Sequence, residues 1–262
     1  RMKRYGSVLV LAARGVVWKL LALMAAVGAA QGVLFALYLS SRPEGPIDPA
    51  FDYELYTKQK LFFHPEYMLQ ETNFILPAAV GLVLLCLALA FYGCEQGKGR
   101  SQYTFSRLRV GQLPVFGLWV GCYALCLLVF WGFQTGMMLG LVRLLMRLGG
   151  NAGDTQTLFL ACWRNPYLHS LLPLQDWPRL VYNVLLLIAL ALSLACFSFL
   201  RRHGRRSLEC FIVTALAATS FARPFDQDMG RGLALNGLLG FVAVVCGIVV
   251  LYRVRGCWND EL

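Results

Sequence analysis

Six apolar runs divide the chain, separated by short stretches in which nearly all the charge is collected. A helix rises 1.5 Å per residue, so about 20 apolar residues are needed to cross a hydrocarbon layer of roughly 30 Å with every backbone polar group paired inside the helix. Residues 20–39 meet that length, broken only by Gln31, and residues 74–92 meet it with Pro77 in the first turn. Residues 115–142 are long enough to tilt or project, and 180–200 and 233–252 also qualify. The run at 208–222 reaches only about 22 Å before Arg223 and Pro224 interrupt it. It reads as a short span or a broken one; as a re-entrant segment it would reduce the count to five and move the C-terminus to the other side. The pattern predicts an all-α polytopic helix bundle of about six transmembrane helices, preceded by an amphipathic N-terminal helix.

Composition points the same way. The 262 residues are 58% hydrophobic and 15% charged, where a soluble domain is about half apolar and a quarter charged. None of the stretches between apolar runs is long enough to bury a core of its own, so residues 1–262 read as a single transmembrane domain. A convincing small-residue cleavage site does not follow the first run, which therefore reads as a retained anchor.

The net charge of +10 raises the question of nucleic acid, and the placement of the charges answers it. With the N-terminus inside, the cytoplasmic segments hold fifteen of the 24 basic residues, among them Arg4, Arg14, Lys19, Lys98, Arg201, Arg206 and Arg253, against four acids, a net +11. The outer segments hold nine basic residues and ten acids, a net −1. This is the positive-inside asymmetry of a multi-pass protein of the cell membrane with both termini cytoplasmic. It leaves no role for nucleic acid as a partner; membrane lipid takes that place.

Two outer loops are substantial, 40–73 and 143–178. The second carries Trp163, Tyr167 and Trp177 around an apolar stretch, which favours an interfacial lid on the outer membrane face over a substrate-binding element. Of the nine cysteines, Cys86, Cys122, Cys126, Cys196, Cys210 and Cys246 fall within apolar runs and read as small buried hydrophobes. The histidines His64, His169 and His203 are scattered over different loops. No metal site, nucleophile motif or phosphate-binding loop is present, so the chain is not expected to be an enzyme. Acidic and basic side chains are lacking deep in the runs, which disfavours a proton or sodium relay.

Glycines at four-residue spacing, Gly28 and Gly32, Gly117 and Gly121, Gly136 and Gly140, suit close helix packing or dimerisation in lipid. Gln31 and Asn183 are isolated polar groups in spans and are expected to bond to neighbouring helices. The cytoplasmic loop 95–114 runs from Glu95 through Gly97, Lys98 and Gly99 to a segment in which Phe105, Leu108 and Val110 alternate with Arg107 and Arg109. That pattern fits an amphipathic elbow helix that docks into a partner's groove, or an ordinary positive-inside loop.

An acid and a glycine after the second span, leading through a polar amphipathic stretch into Leu113-Pro114, resemble the permease subunits of bacterial type-2 ATP-binding-cassette (ABC) exporters. The basic amphipathic segment before residue 20 is similar to their connecting helix. The run from Asn165 to Pro173, Asn-Pro-Tyr-Leu-His-Ser-Leu-Leu-Pro, is similar to an outer-loop pattern in permeases of Gram-positive bacteria. The resemblance implies ATPase coupling through Glu95, Gly97, Arg107 and Arg109. It also implies cytoplasmic ATPase subunits that carry the ATP and Mg, and a second copy or related permease as partner. Two features depart from the pattern: the fifth run is short, and only about ten residues precede the sixth. Apart from the resemblance, an ion-coupled carrier and a non-transporting scaffold or sensor remain open.

Overall fold

Every regular element among the described residues is α-helical. The computed structural model describes residues 2–42, 61–92, 112–149, 158–160, 163, 165–173, 176–202, 209–222, 237–238 and 240–252, with side chains from residue 15 onward except at 112–114, 166, 202, 209 and 221–222. In chain order the helices are α1 (Met2–Ser40), α2 (Pro65–Glu71), α3 (Ile75–Phe91), α4 (Gln112–Leu148), α5 (Pro166–Leu171), α6 (Trp177–Arg202) and α7 (Glu209–Ala222). An apolar helix α8 (Gly240–Tyr252) follows.

Three segments are long and apolar enough to cross a membrane: Gly15–Ser40, Val115–Leu148 and Trp177–Arg201. A fourth arises if α2 and α3 are taken as one broken span bent by 62°. The two remaining apolar runs form the shorter helices Cys210–Ser220 and Gly240–Tyr252. Each of the six predicted runs is thus helical over its described part, and three or four of them have membrane length.

Helix ends differ from expectation for local reasons. The N-terminal segment is continuous with the first run in the 39-residue α1; no proline lies between Met2 and Ser40 to break the backbone. In α4 the helix passes residue 142, where the apolar run was expected to stop, and continues to Leu148. Arg143 and Arg147 stay exposed while Val142, Leu145 and Met146 turn inward, so the apolar stripe outlasts the uninterrupted apolar run. Gly149 ends it, its N–H donating to Leu145 O at 3.0 Å; a Cβ there would lie 2.8 Å from Phe63 Cβ.

Helix α3 touches α1, α4, α6 and α7. It has no charged or amide side chain. Leu76, Val80, Leu84, Leu87 and Phe91 form its exposed stripe, and Ala78, Leu82, Leu85, Cys86 and Leu89 face its neighbours. The main core joins α1, α3, α4, α6, α7 and α8 through Leu85, Tyr123, Leu194, Val213 and Val250, among others. The predicted burial of the apolar-run cysteines holds for Cys86, Cys122, Cys126, Cys196 and Cys210, with Cys246 half-buried.

A second core caps the end that carries α2 and α5. Tyr38 stacks on Phe62 with ring centroids 4.7 Å apart and donates its hydroxyl to Phe62 O at 2.6 Å. Met68, Phe74, Met138, Leu145 and Leu168 complete it, each almost wholly buried. Helix α2 thereby binds the extension of α4, which explains why that extension is helical.

Candidate functional site

Helix α5 begins where the sequence dictates. Asn165 Oδ1 accepts from Tyr167 N at 3.0 Å and Leu168 N at 3.2 Å, and Pro166 occupies the first turn, where its missing N–H costs nothing. Leu172 then leaves helical geometry ahead of Pro173. Within the loop expected to form an interfacial lid, this segment is inserted into the helix bundle. Tyr167, Leu168, His169, Ser170 and Leu171 are all buried, in contact with α4 and α7. Three polar groups from the long helices draw it in, pairing groups that burial would otherwise leave unmet. Trp131 Nε1 donates to Leu171 O at 3.0 Å, and Asn183 Nδ2 donates to Ser170 O at 2.9 Å. Tyr167 Oη donates to Gln134 Oε1 at 3.5 Å. Helix α5 is a plug in the end of the bundle.

Beneath the plug lies a cavity of about 60 Å³ between α3, α4, α6 and α7. Its walls are apolar, with Ala78, Leu82, Leu127, Phe130, Leu186 and Ala217 among them, and no charged side chain among the described residues lines it. Its polar groups, Gln134, Tyr167 and Asn183, sit at the plug end.

The expected interhelical bonding of Gln31 and Asn183 is observed. Gln31 Nε2 donates to Gln134 Oε1 at 2.9 Å and to Phe74 O at 3.4 Å. The network is incomplete, however. Gln31 Oε1, Gln134 Nε2 and Asn183 Oδ1 have no hydrogen-bond partner among the described residues, although these side chains are only 0%, 2% and 4% exposed. An unmet buried amide group costs about 1–3 kcal/mol. Which end of each amide is oxygen follows from the bonding pattern, and exchanging both glutamine ends leaves one donor and one acceptor unmet all the same.

Burial pushes the Tyr167 phenol up from its ordinary range. It holds the His169 imidazole below its ordinary value, with Arg179 adding to the effect and Asp176 opposing it. Arg179 Nη2 also donates to Ser220 O at 3.1 Å, so a long side chain from α6 meets the last turn of the short α7.

The predicted coupling residues Glu95, Gly97, Arg107 and Arg109 lie outside the described residues. The glycine pairs separate by environment: a Cβ on Gly28 would meet Phe133 Cζ at 3.2 Å, whereas Gly32, Gly117, Gly121, Gly136 and Gly140 face open space. Gln134, Trp131 and Arg179 escaped the sequence reading. The one available signal was an amide near the middle of the longest apolar run. Among the described residues, no group of three or more His, Cys, Asp or Glu side chains is placed to hold a metal ion. Comparisons with protein-family models, with curated proteins and with solved structures find no match to this chain.

Proposed function

We propose that the chain is the membrane-spanning permease subunit of a type-2 ABC exporter, moving an amphiphilic substrate such as a peptide, drug or lipid with ATP hydrolysed by a separate subunit. The observation that carries this reading is a cavity inside a helix bundle in which three or four helices have membrane length, stoppered at one end by a short buried helix. An opening closed by a few hydrogen bonds is what alternating access requires.

Two bands of aromatic and basic side chains support a membrane setting. At one end Trp18 is exposed, Lys19 lies 5.5 Å from the Tyr92 ring centre, and Arg201 lies 4.7 Å from that of Phe91. At the other end Trp163 and Trp177 are exposed and Arg42 lies 5.1 Å from the Phe63 ring. From Trp177 to Arg201 the helix rises about 36 Å, the hydrocarbon layer plus part of each headgroup zone. In this reading α7 and α8 supply the fifth and sixth spans, and both termini face the cytoplasm.

The exposed glycines of α4 continue as one face, with Leu125, Leu128 and Gly132 between Gly121 and Gly136. That face suits a second copy or a related permease. Residues 95–114, with Glu95, Gly97, Arg107 and Arg109, would receive the ATPase, and ATP and Mg belong to that subunit.

The test is charge reversal at Arg107 and Arg109, assayed beside the cognate ATPase in vesicles. Insertion and abundance are expected to stay normal while ATP-dependent flux and ATPase co-purification fall at least tenfold. Unchanged flux and co-purification, or flux that follows an ion gradient and ignores ATP depletion, would remove the proposal.

A further inference from the structure

The cavity under α5 has a polarity gradient and a direction. Gln134 and Leu127 are seven residues apart on α4, as are Asn183 and Leu190 on α6, so each wall descends about 10 Å from an amide to a pure hydrocarbon surface. The partly exposed lining residues are Ile75 and Ala79 on α3, Trp131 on α4 and Leu187 on α6; Trp131 is tied to α5 by its bond to Leu171 O, and the other three place the mouth between α3 and α6. Leu76, Val80, Val184 and Ile188, each next in sequence to a lining residue, are exposed. A mouth framed by such side chains admits molecules from hydrocarbon and disfavours passage of anything that must stay hydrated.

At the head end the groups unmet among the described residues are one amide donor, Gln134 Nε2, and an amide acceptor, Asn183 Oδ1. Neither carries charge, and nothing charged among the described residues lines the walls. A carboxylate or ammonium head would have to shed its water there with no opposite charge to meet it, at a cost of several kcal/mol. A hydroxyl or carboxamide would donate to Asn183 and accept from Gln134. Space for about four water-sized groups, at roughly 15 Å³ each, holds such a head and its first methylenes. The remaining tail would leave between α3 and α6.

We propose that this cavity is a lateral binding site for an uncharged single-chain amphiphile with a hydroxyl or carboxamide head, held by Gln134 and Asn183 and shut off from the bundle end by α5. The proposal rests on the membrane reading above and narrows its substrate class, but it does not require ATP coupling, so it is tested on the chain alone. The full-length protein in phosphatidylcholine nanodiscs would be photolabelled with a diazirine-bearing C12 alcohol, its carboxylate analogue at pH 8 and its trimethylammonium analogue. Adducts of the alcohol are expected within residues 127–134 and 183–190, reduced at least fivefold by excess unlabelled dodecanol. Both charged probes should label these segments at least fivefold less. Ala79→Trp, which fills the mouth without touching either amide, and the double variant Gln134→Leu/Asn183→Leu should each abolish pocket labelling. The competition arm needs no variant and stands if either substitution fails to fold. Equal labelling by the charged probes, adducts spread evenly over lipid-facing helices, or no competition by dodecanol would each overturn the site. Loss of ATP-driven flux with pocket labelling retained would instead count against the transporter assignment alone.

Discussion

A methyl group on Gly81 would lie 2.5 Å from Val27 Cγ2 and 3.3 Å from Phe130 Cζ, while one on Gly32 would meet nothing within 4 Å. Val27 is β-branched and held to one rotamer on a helix, so it cannot swing aside. Helix α3 approaches α1 closely only because residue 81 has no side chain. Gly81→Ala is therefore expected to cost on the order of 1–3 kcal/mol through overpacking. Gly32→Ala should be neutral or stabilise by up to about 1 kcal/mol, since alanine loses less backbone entropy in a helix. Thermal unfolding of the two variants in one detergent checks this, and shifts of equal sign and size would refute the packing argument. The sequence cannot distinguish these glycines. Gly32 belongs to an i, i+4 pair that reads as a contact and faces open space, whereas the close contact falls on Gly81, which has no such partner.

Among the elements, those that depend on their own composition were legible and those that depend on remote partners were not. The apolar runs predict α1, α3, α4 and α6 because a membrane-length stretch of such residues satisfies its own backbone. The ends of α5 were legible too, in Asn165, Pro166 and Pro173. Its position was not, because Trp163, Tyr167 and Trp177 suit an interface, while two of the groups that draw α5 inward, Trp131 and Gln134, lie on α4, distant in sequence, and the third, Asn183, on the following helix. The inserted position gives α5 a pH dependence. His169 is buried, and burial holds its pKa below the ordinary 6.5. The unfolded chain thus binds the proton more readily than the folded one. Stability from this group is fully present above pH 6.5 and is lost as pH falls from there through the lowered folded value. The unfolding temperature of the wild type is expected to drop between pH 7.5 and 5 by more than that of His169→Gln, which stays neutral throughout. Parallel profiles for the two proteins would show that His169 takes up no proton coupled to unfolding.

For the whole molecule the governing quantity is sidedness, because the charge asymmetry and the parity of the helices must agree. Helix α7 decides the parity. Its first turns meet α6 near Phe197, whose ring lies 5.7 Å from that of Phe211, and its last turn is met by Arg179 at the opposite end of α6. A 14-residue helix rises only about 21 Å, and the Arg179 side chain makes up part of the shortfall by reaching inward while its head bonds to Ser220. If α7 crosses, the chain leaves the compartment of residues 201–207 through α7 and returns to it through α8, so that loop and the C-terminus share one side. In a Cys162→Ser background, an impermeant maleimide applied to intact cells should then label Thr155→Cys, and should label Ser207→Cys and native Cys257 only after permeabilisation. Labelling of Cys257 from outside with Ser207→Cys still protected would mean that α7 turns back within the membrane and that five spans are present. Labelling of Ser207→Cys from outside would invert the molecule and remove the positive-inside basis for placing residues 95–114 against a cytoplasmic ATPase.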